Sequence, residues 1–177
     1  MQTPIFSEKH QICFEWIPVN LPKLLNQSGN TSPATIKNKA IYSLKDLKRW
    51  AAYLEIPFKM IRPGSFDSRP ALRIAAALEG ETRSQFCLAL FEAIWSGTID
   101  PRNADWLLEV LKLKKLPESW INLCHDVLDE NSEKALKAGA FGVPTFILHR
   151  GDCEGQKFRS EMFFGVDHMD FLARACK

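Results

Sequence analysis

The spacing of apolar positions changes along this chain, and each change predicts an element. Residues 11–19, QICFEWIPV, alternate loosely and are rich in β-branched and aromatic side chains, which predicts a strand ended near Pro18. Residues 21–33, LPKLLNQSGNTSP, read as a loop with Ser28-Gly29-Asn30 as its turn and Pro33 placed to open a helix. As a turn residue, Asn30 is expected to take a left-handed backbone. From about 34 to 53 the period becomes helical, with Ile41, Leu44, Leu47, Trp50, Ala51 and Leu54 at three- and four-residue steps.

Residues 56–70 form a proline-punctuated connector, and more helix follows. ALRIAAALEG is built of strong helix formers stopped by Gly80. A further helix is expected from about Arg83 to Trp95, ended by Gly97, and a short one after Asp100-Pro101 carrying Trp106, Leu107, Val110 and Leu111. Others are expected over about 117–128 and 130–138, the last with Glu133, Lys134 and Lys137 as side-chain pairs. The texture then changes again. PTFILHR and KFRSEMFFG read as two strands joined through Gly151-Asp152 and Gly155, and VDHMDFLARAC as a closing helix with Asp167 in its first turn. A strand at one end and a hairpin at the other are expected to share one sheet, with the helical block inserted over it.

Composition narrows the class of protein. The chain has 177 residues, 46% hydrophobic and 25% charged, enough for a globular core. A net charge of +2, without a basic block, gives no reason to expect nucleic acid. No apolar run is long enough to span a membrane, and the N-terminal residues lack the pattern of a secretory signal. The five cysteines are scattered and contain no C-x-x-C pair, which suits a reducing, cytoplasmic setting. The four histidines show no ligand spacing with them, so no metal site is expected.

The most informative stretch is Lys137 to Leu148, KAGAFGVPTFIL. Two glycines precede Pro144, which must stand at a strand's first position. The bond before it tolerates cis, and in a cis loop the Val143 N–H and C=O can pair with an extended peptide. Taken alone, the same residues could equally be a helix stop followed by a strand start.

Gly139-Ala140-Phe141-Gly142-Val143-Pro144-Thr145 resembles the loop of the DsbA-like branch of the thioredoxin superfamily. More narrowly it resembles the 2-hydroxychromene-2-carboxylate isomerases and the kappa-class glutathione transferases. Ser28-Gly29-Asn30, YSLKDLKRW at 42–50, the stretches 71–77 and 88–95, and Phe164 to Met169 agree in order and spacing. The resemblance implies an α/β fold, a thioredoxin-like sheet interrupted by a large all-helical insertion. Residues 1–33 and 139–177 would form the thioredoxin-like part, incomplete at its N-terminus, and 34–138 the insertion. It further implies glutathione as cofactor, bound by Asn30, Lys39, Val143, Pro144, Val166 and Asp167. A small aromatic or conjugated molecule would be the substrate, and a homodimer is allowed.

Three departures from the family pattern stand out. Val166 replaces a polar Ser or Asn, and His168 replaces an Arg. The family's opening strand and helix, with the serine that activates the glutathione thiol, have no counterpart, since the chain begins almost at the second strand. Ser7 is not assigned that role, and the catalytic residue is left unknown. MQTPIFSE could supply a short substitute strand, the strands at 11–19 and 144–149 could pair directly, or another chain could fill the gap. The leading expectation is a glutathione-dependent isomerase with impaired activity. The alternatives are a non-catalytic binding module and, with less support for want of C-x-x-C, a disulfide oxidoreductase.

Overall fold

The computed structural model describes residues 3–62, 64–150 and 159–177. The chain divides into two compact units. One comprises Glu15–Pro18 and Ser32–Leu128; the other comprises residues 3–14, Val19–Thr31 and Asp129–Lys177.

The first unit is helical. It holds α3 (Lys37–Tyr53), α4 (Arg69–Ala77), α5 (Gly80–Trp95) and α6 (Trp106–Leu113), with short 3-10 turns at Pro33–Thr35 and Glu118–Asn122. Its core is made by the stripes of α4, α5 and α6: Ile74, Phe86, Ile94, Trp106, Val110 and Leu111 are all buried together. Small residues, Ala71, Ala75 and Ala93, sit in the same cluster and allow the helices to approach. The expected helix over 117–128 is reduced to the turn at Glu118–Asn122. Gly80 starts α5 rather than stopping α4, whose last turn closes at Leu78.

The predicted strand over 11–19 takes no regular secondary structure, and among the described residues no strand pairs with it. Its backbone is satisfied differently. Arg83 donates from Nη1 to the Trp16 carbonyl (2.9 Å) and from Nε to the Leu78 carbonyl (2.7 Å), fastening the segment to α5. Trp16 also packs on Phe91, with ring centroids 5.9 Å apart.

The second unit carries α1 (Thr3–His10), α2 (Leu21–Gln27), nearly all of α7 (Leu128–Lys137), β1 (Thr145–Arg150), β2 (Arg159–Phe164) and α8 (Met169–Ala175). The described part of MQTPIFSE, residues 3–8, therefore lies in helix rather than in a substitute strand. Strands β1 and β2 pair antiparallel, Thr145 opposite Phe164 through Arg150 opposite Arg159. They are the only sheet among the described residues, and the Gly151-Asp152 and Gly155 turn lies outside them. An aromatic chain links α1 to the sheet: Phe6 to Phe14 and Phe14 to Phe146, each 5.8 Å between centroids.

The stretch expected as a loop at 21–33 contains α2. Asn20 is its N-cap, its Oδ1 accepting from the Lys23 N–H, and Pro22 occupies the first turn, where no N–H is needed. A polar clasp holds α2 to α7. The Asn20 N–H donates to the fully buried Ser132 hydroxyl (2.9 Å), and the Asn20 side-chain amide donates to Asp129 (2.8 Å). Lys23 Nζ meets Glu133 at 2.8 Å, so Glu133 is engaged across helices as well as by its own-helix neighbours.

Two predictions follow from the clasp. Ser132→Ala leaves the Asn20 N–H without that acceptor and should lower unfolding free energy by about 1–2 kcal/mol in a denaturant titration. The Asn20 amide holds the Asp129 carboxyl below its ordinary 3.8, and the Lys23 hydrogen bond holds Glu133 below 4.5. Glu133 in turn raises Lys23 above 10.5. Depressed carboxylates stabilise above their ordinary values and lose that as pH falls; a raised lysine stabilises until pH rises past its own value. The clasp's own contribution to the melting temperature should therefore be full from about pH 5 to 10 and be lost on both sides, and Lys23→Met should shallow both limbs.

Candidate functional site

The loop between α7 and β1 is built by sequence features that permit only a narrow conformation. Gly139 closes α7 with φ +92° and donates to the Leu136 carbonyl at 2.9 Å. Gly142 faces the Phe164 ring so closely that a Cβ there would lie 3.0 Å from it. The Phe141 and Phe164 rings stand 4.5 Å apart. The Val143–Pro144 peptide bond is cis.

Three of four successive carbonyls in this loop have partners. Asn30 Nδ2 donates to the Phe141 carbonyl (2.8 Å). The Thr145 hydroxyl donates to the Gly142 carbonyl (2.7 Å). The Gly165 N–H donates to the Pro144 carbonyl (3.0 Å). The Val143 N–H and C=O have no partner among the described residues, and the residue is 47% exposed. A backbone group left unpaired in this way is open to an extended ligand.

The turn after β2 lies alongside. Gly165 takes φ +86°, and a Cβ there would meet the Asp167 carboxylate, so glycine is required. Val166 is exposed, and neither its N–H nor that of Asp167 has a partner among the described residues. Asp167 Oδ1 stands 3.5 Å from His168 Nδ1.

The structure thus brings together Asn30, Val143, Pro144, Val166 and Asp167 in one unit. Lys39 is exposed on α3, in the other unit. The left-handed residue of the Ser28-Gly29-Asn30 turn is Gly29, at φ +69°, and not Asn30. Sequence reasoning missed Phe141, Phe164 and Thr145. The glycines flanking Phe141 were the available signal, since they mark close backbone approaches. Phe141, Phe164, His168, Phe171 and Arg174 line an open concavity of about 770 Å³, and Phe171 is 57% exposed.

Burial pushes the Cys87 thiol up to about 11 and raises that of Cys176, which keeps both protonated at neutral pH. Among the described residues no group of three His, Cys, Asp or Glu side chains could hold a metal, and no helix is long and apolar enough to cross a membrane.

The loop geometry yields a packing prediction. Gly142→Ala should destabilise by about 1–2 kcal/mol through overpacking against Phe164. Phe164→Leu in the same chain should return part of that loss, and a double-mutant cycle read by thermal melts measures the coupling.

Comparison with known proteins agrees with this geometry. The family described as a DSBA-like thioredoxin domain matches residues 3–177. Glutathione S-transferase kappa 1 of Caenorhabditis elegans is 25% identical over 177 residues, 92% of this chain and 76% of that protein. The 2-hydroxychromene-2-carboxylate isomerase of Sphingobium xenophagum is 25% identical over 183 residues, 97% of this chain and 87% of that protein. A solved 2-hydroxychromene-2-carboxylate isomerase shares the fold with a TM-score of 0.77 at 23% identity, covering 98% of this chain and 84% of that one. Because the family match runs over nearly the whole length, the chain belongs to the DSBA-like thioredoxin domain family.

Proposed function

We propose that the protein is a glutathione-dependent isomerase resembling 2-hydroxychromene-2-carboxylate isomerase, with a kappa-like glutathione transferase activity as the neighbouring assignment. The observation that carries this reading is the unpaired Val143 peptide group beside cis-Pro144, in a chain whose relatives are named for these two activities. Val143 pairs with the cysteinyl backbone of glutathione. The unpaired N–H groups at Val166 and Asp167, with the Asp167 carboxylate, take the γ-glutamyl end. Lys39 serves a glutathione carboxylate and Asn30 completes the turn beside the loop. The thioredoxin-like part is 1–33 and 139–177, and 34–138 is the helical insertion. The protein works in the cytoplasm, and a homodimer is consistent with the reading.

The chemistry of the isomerase reading is reversible addition. A glutathione thiolate adds to a conjugated carbon, the adjacent double bond becomes single and rotates, and expulsion of the thiolate restores conjugation. Exposed Phe141 and Phe171 suit a small aromatic or conjugated substrate, through ring contacts that a polar substrate could not use. No residue is assigned to activating the thiol: Cys87 and Cys176 are held protonated, and Ser7 lies within α1. Valine at 166, which offers no side-chain hydrogen bond, favours weak binding. A second reading is a non-catalytic glutathione-binding module. A disulfide oxidoreductase has less support, because the sequence contains no C-x-x-C.

Calorimetric titration with glutathione at neutral pH, paired with amide spectra, tests the assignment. Binding should perturb the Val143, Val166 and Asp167 amides. Val166→Ser should tighten it by about fivefold, the worth of one added hydrogen bond. Heat without any change at these three amides, or no binding at millimolar glutathione, would sink the proposal. Isomerisation of a conjugated carboxylate above the rate with glutathione alone separates the enzyme from the binding module.

A further inference from the structure

Beyond the Thr145 hydroxyl on the Gly142 carbonyl, the Phe141–Pro144 loop is held by groups distant in sequence. Gly142 lacks a side chain, and Val143 projects 47% exposed. What fixes the loop comes from elsewhere in the unit, and one brace comes from far along the chain. Asn30 is 111 residues away in sequence and gives its side-chain amide to the Phe141 carbonyl at 2.8 Å. Its Oδ1 is engaged too, accepting from the Thr31 N–H at 2.8 Å.

Asn30 is itself rigidly placed. Its N–H donates to the Leu25 carbonyl (3.0 Å), and the Ser28 hydroxyl donates to the same carbonyl (3.0 Å). Gly29 at φ +69° turns the chain so that the side chain leaves α2 toward the loop. Helix α2 is in turn clasped to α7 through Ser132, Asp129 and Glu133. Because α7 runs through Gly139 directly into Phe141, the contacts close a ring: α7, α2, Asn30, Phe141 and back to α7. A displacement of the loop must break the amide-to-carbonyl bond or carry the clasp with it.

We propose that Asn30 is a positioning residue, acting through the Phe141 carbonyl to hold the Val143 peptide edge in its binding geometry. This rests on the reading of Val143 as the ligand edge. A residue that holds the edge affects every ligand that pairs with it. A residue that touches one group of the ligand affects only ligands carrying that group.

The test uses the full chain with Asn30→Ala and the near-isosteric Asn30→Asp, which replaces the donor by a carboxylate facing the carbonyl. In the ligand-free protein, the Phe141 carbonyl carbon and the Val143 amide should shift in both variants. Thermal melts show that each is folded, and Asn30→Asp keeps the test alive if the alanine variant is not. Titrations with γ-glutamylcysteine and cysteinylglycine should each weaken by the same factor, about fivefold for Asn30→Ala and more for Asn30→Asp. Unchanged Phe141 and Val143 resonances overturn the proposal, as does a loss confined to one dipeptide. If neither dipeptide nor glutathione binds the unaltered protein, the reading of the edge has failed, while the ligand-free carbonyl shift still decides whether Asn30 holds the loop.

Discussion

The candidate site depends on how the backbone of one loop is satisfied. Three of the four carbonyls from Phe141 to Pro144 are met by three separate parts of the unit: a turn side chain, a strand hydroxyl and the backbone after β2. The Val143 group is left over. It stays open while its neighbours are closed, a contrast that an ordinary frayed loop lacks. The Phe164 ring completes the arrangement by occupying the space a side chain at Gly142 would need.

Support for this loop extends well beyond it. The Ser132 hydroxyl lies fully buried and bonds the Asn20 backbone, while Lys23, Asp129 and Glu133 act around it at the surface. Exposed ion pairs alone contribute little. Here they flank a buried hydrogen bond, and together they set the position of the turn that carries Asn30. In the helical unit the guanidinium of Arg83 has a comparable role, taking up the Trp16 carbonyl that a neighbouring strand would otherwise bond.

Departures from the family pattern bear on different parts of the chemistry. Valine at 166 lacks the hydroxyl or amide of the family pattern and keeps only the backbone N–H as a donor there. Phe141 and Phe171 add exposed aromatic surface beside the loop. The described cysteines with displaced titration move toward the protonated thiol, away from nucleophilic chemistry.

Much of this was legible in the residues themselves. Helix periods located α3, α5 and α7, and a proline ahead of a β-branched run located β1, because these are local consequences of side-chain spacing and backbone restriction. The Gly-Ala-Phe-Gly-Val-Pro-Thr stretch marked the loop for the same reason. Local rules failed where the outcome depends on a partner. Residues 11–19 have strand composition, yet a strand exists only beside another strand, and Arg83 took one of its carbonyls instead. Helix α2 was hidden in a turn-rich stretch because its stability comes from α7, over a hundred residues away. Likewise, nothing in the sequence around Asn30 shows that its amide reaches the Phe141 carbonyl. Spacing and composition determined the elements and the chemistry on offer; only the tertiary structure decided which hydrogen bonds were already taken, and so which peptide group remained free.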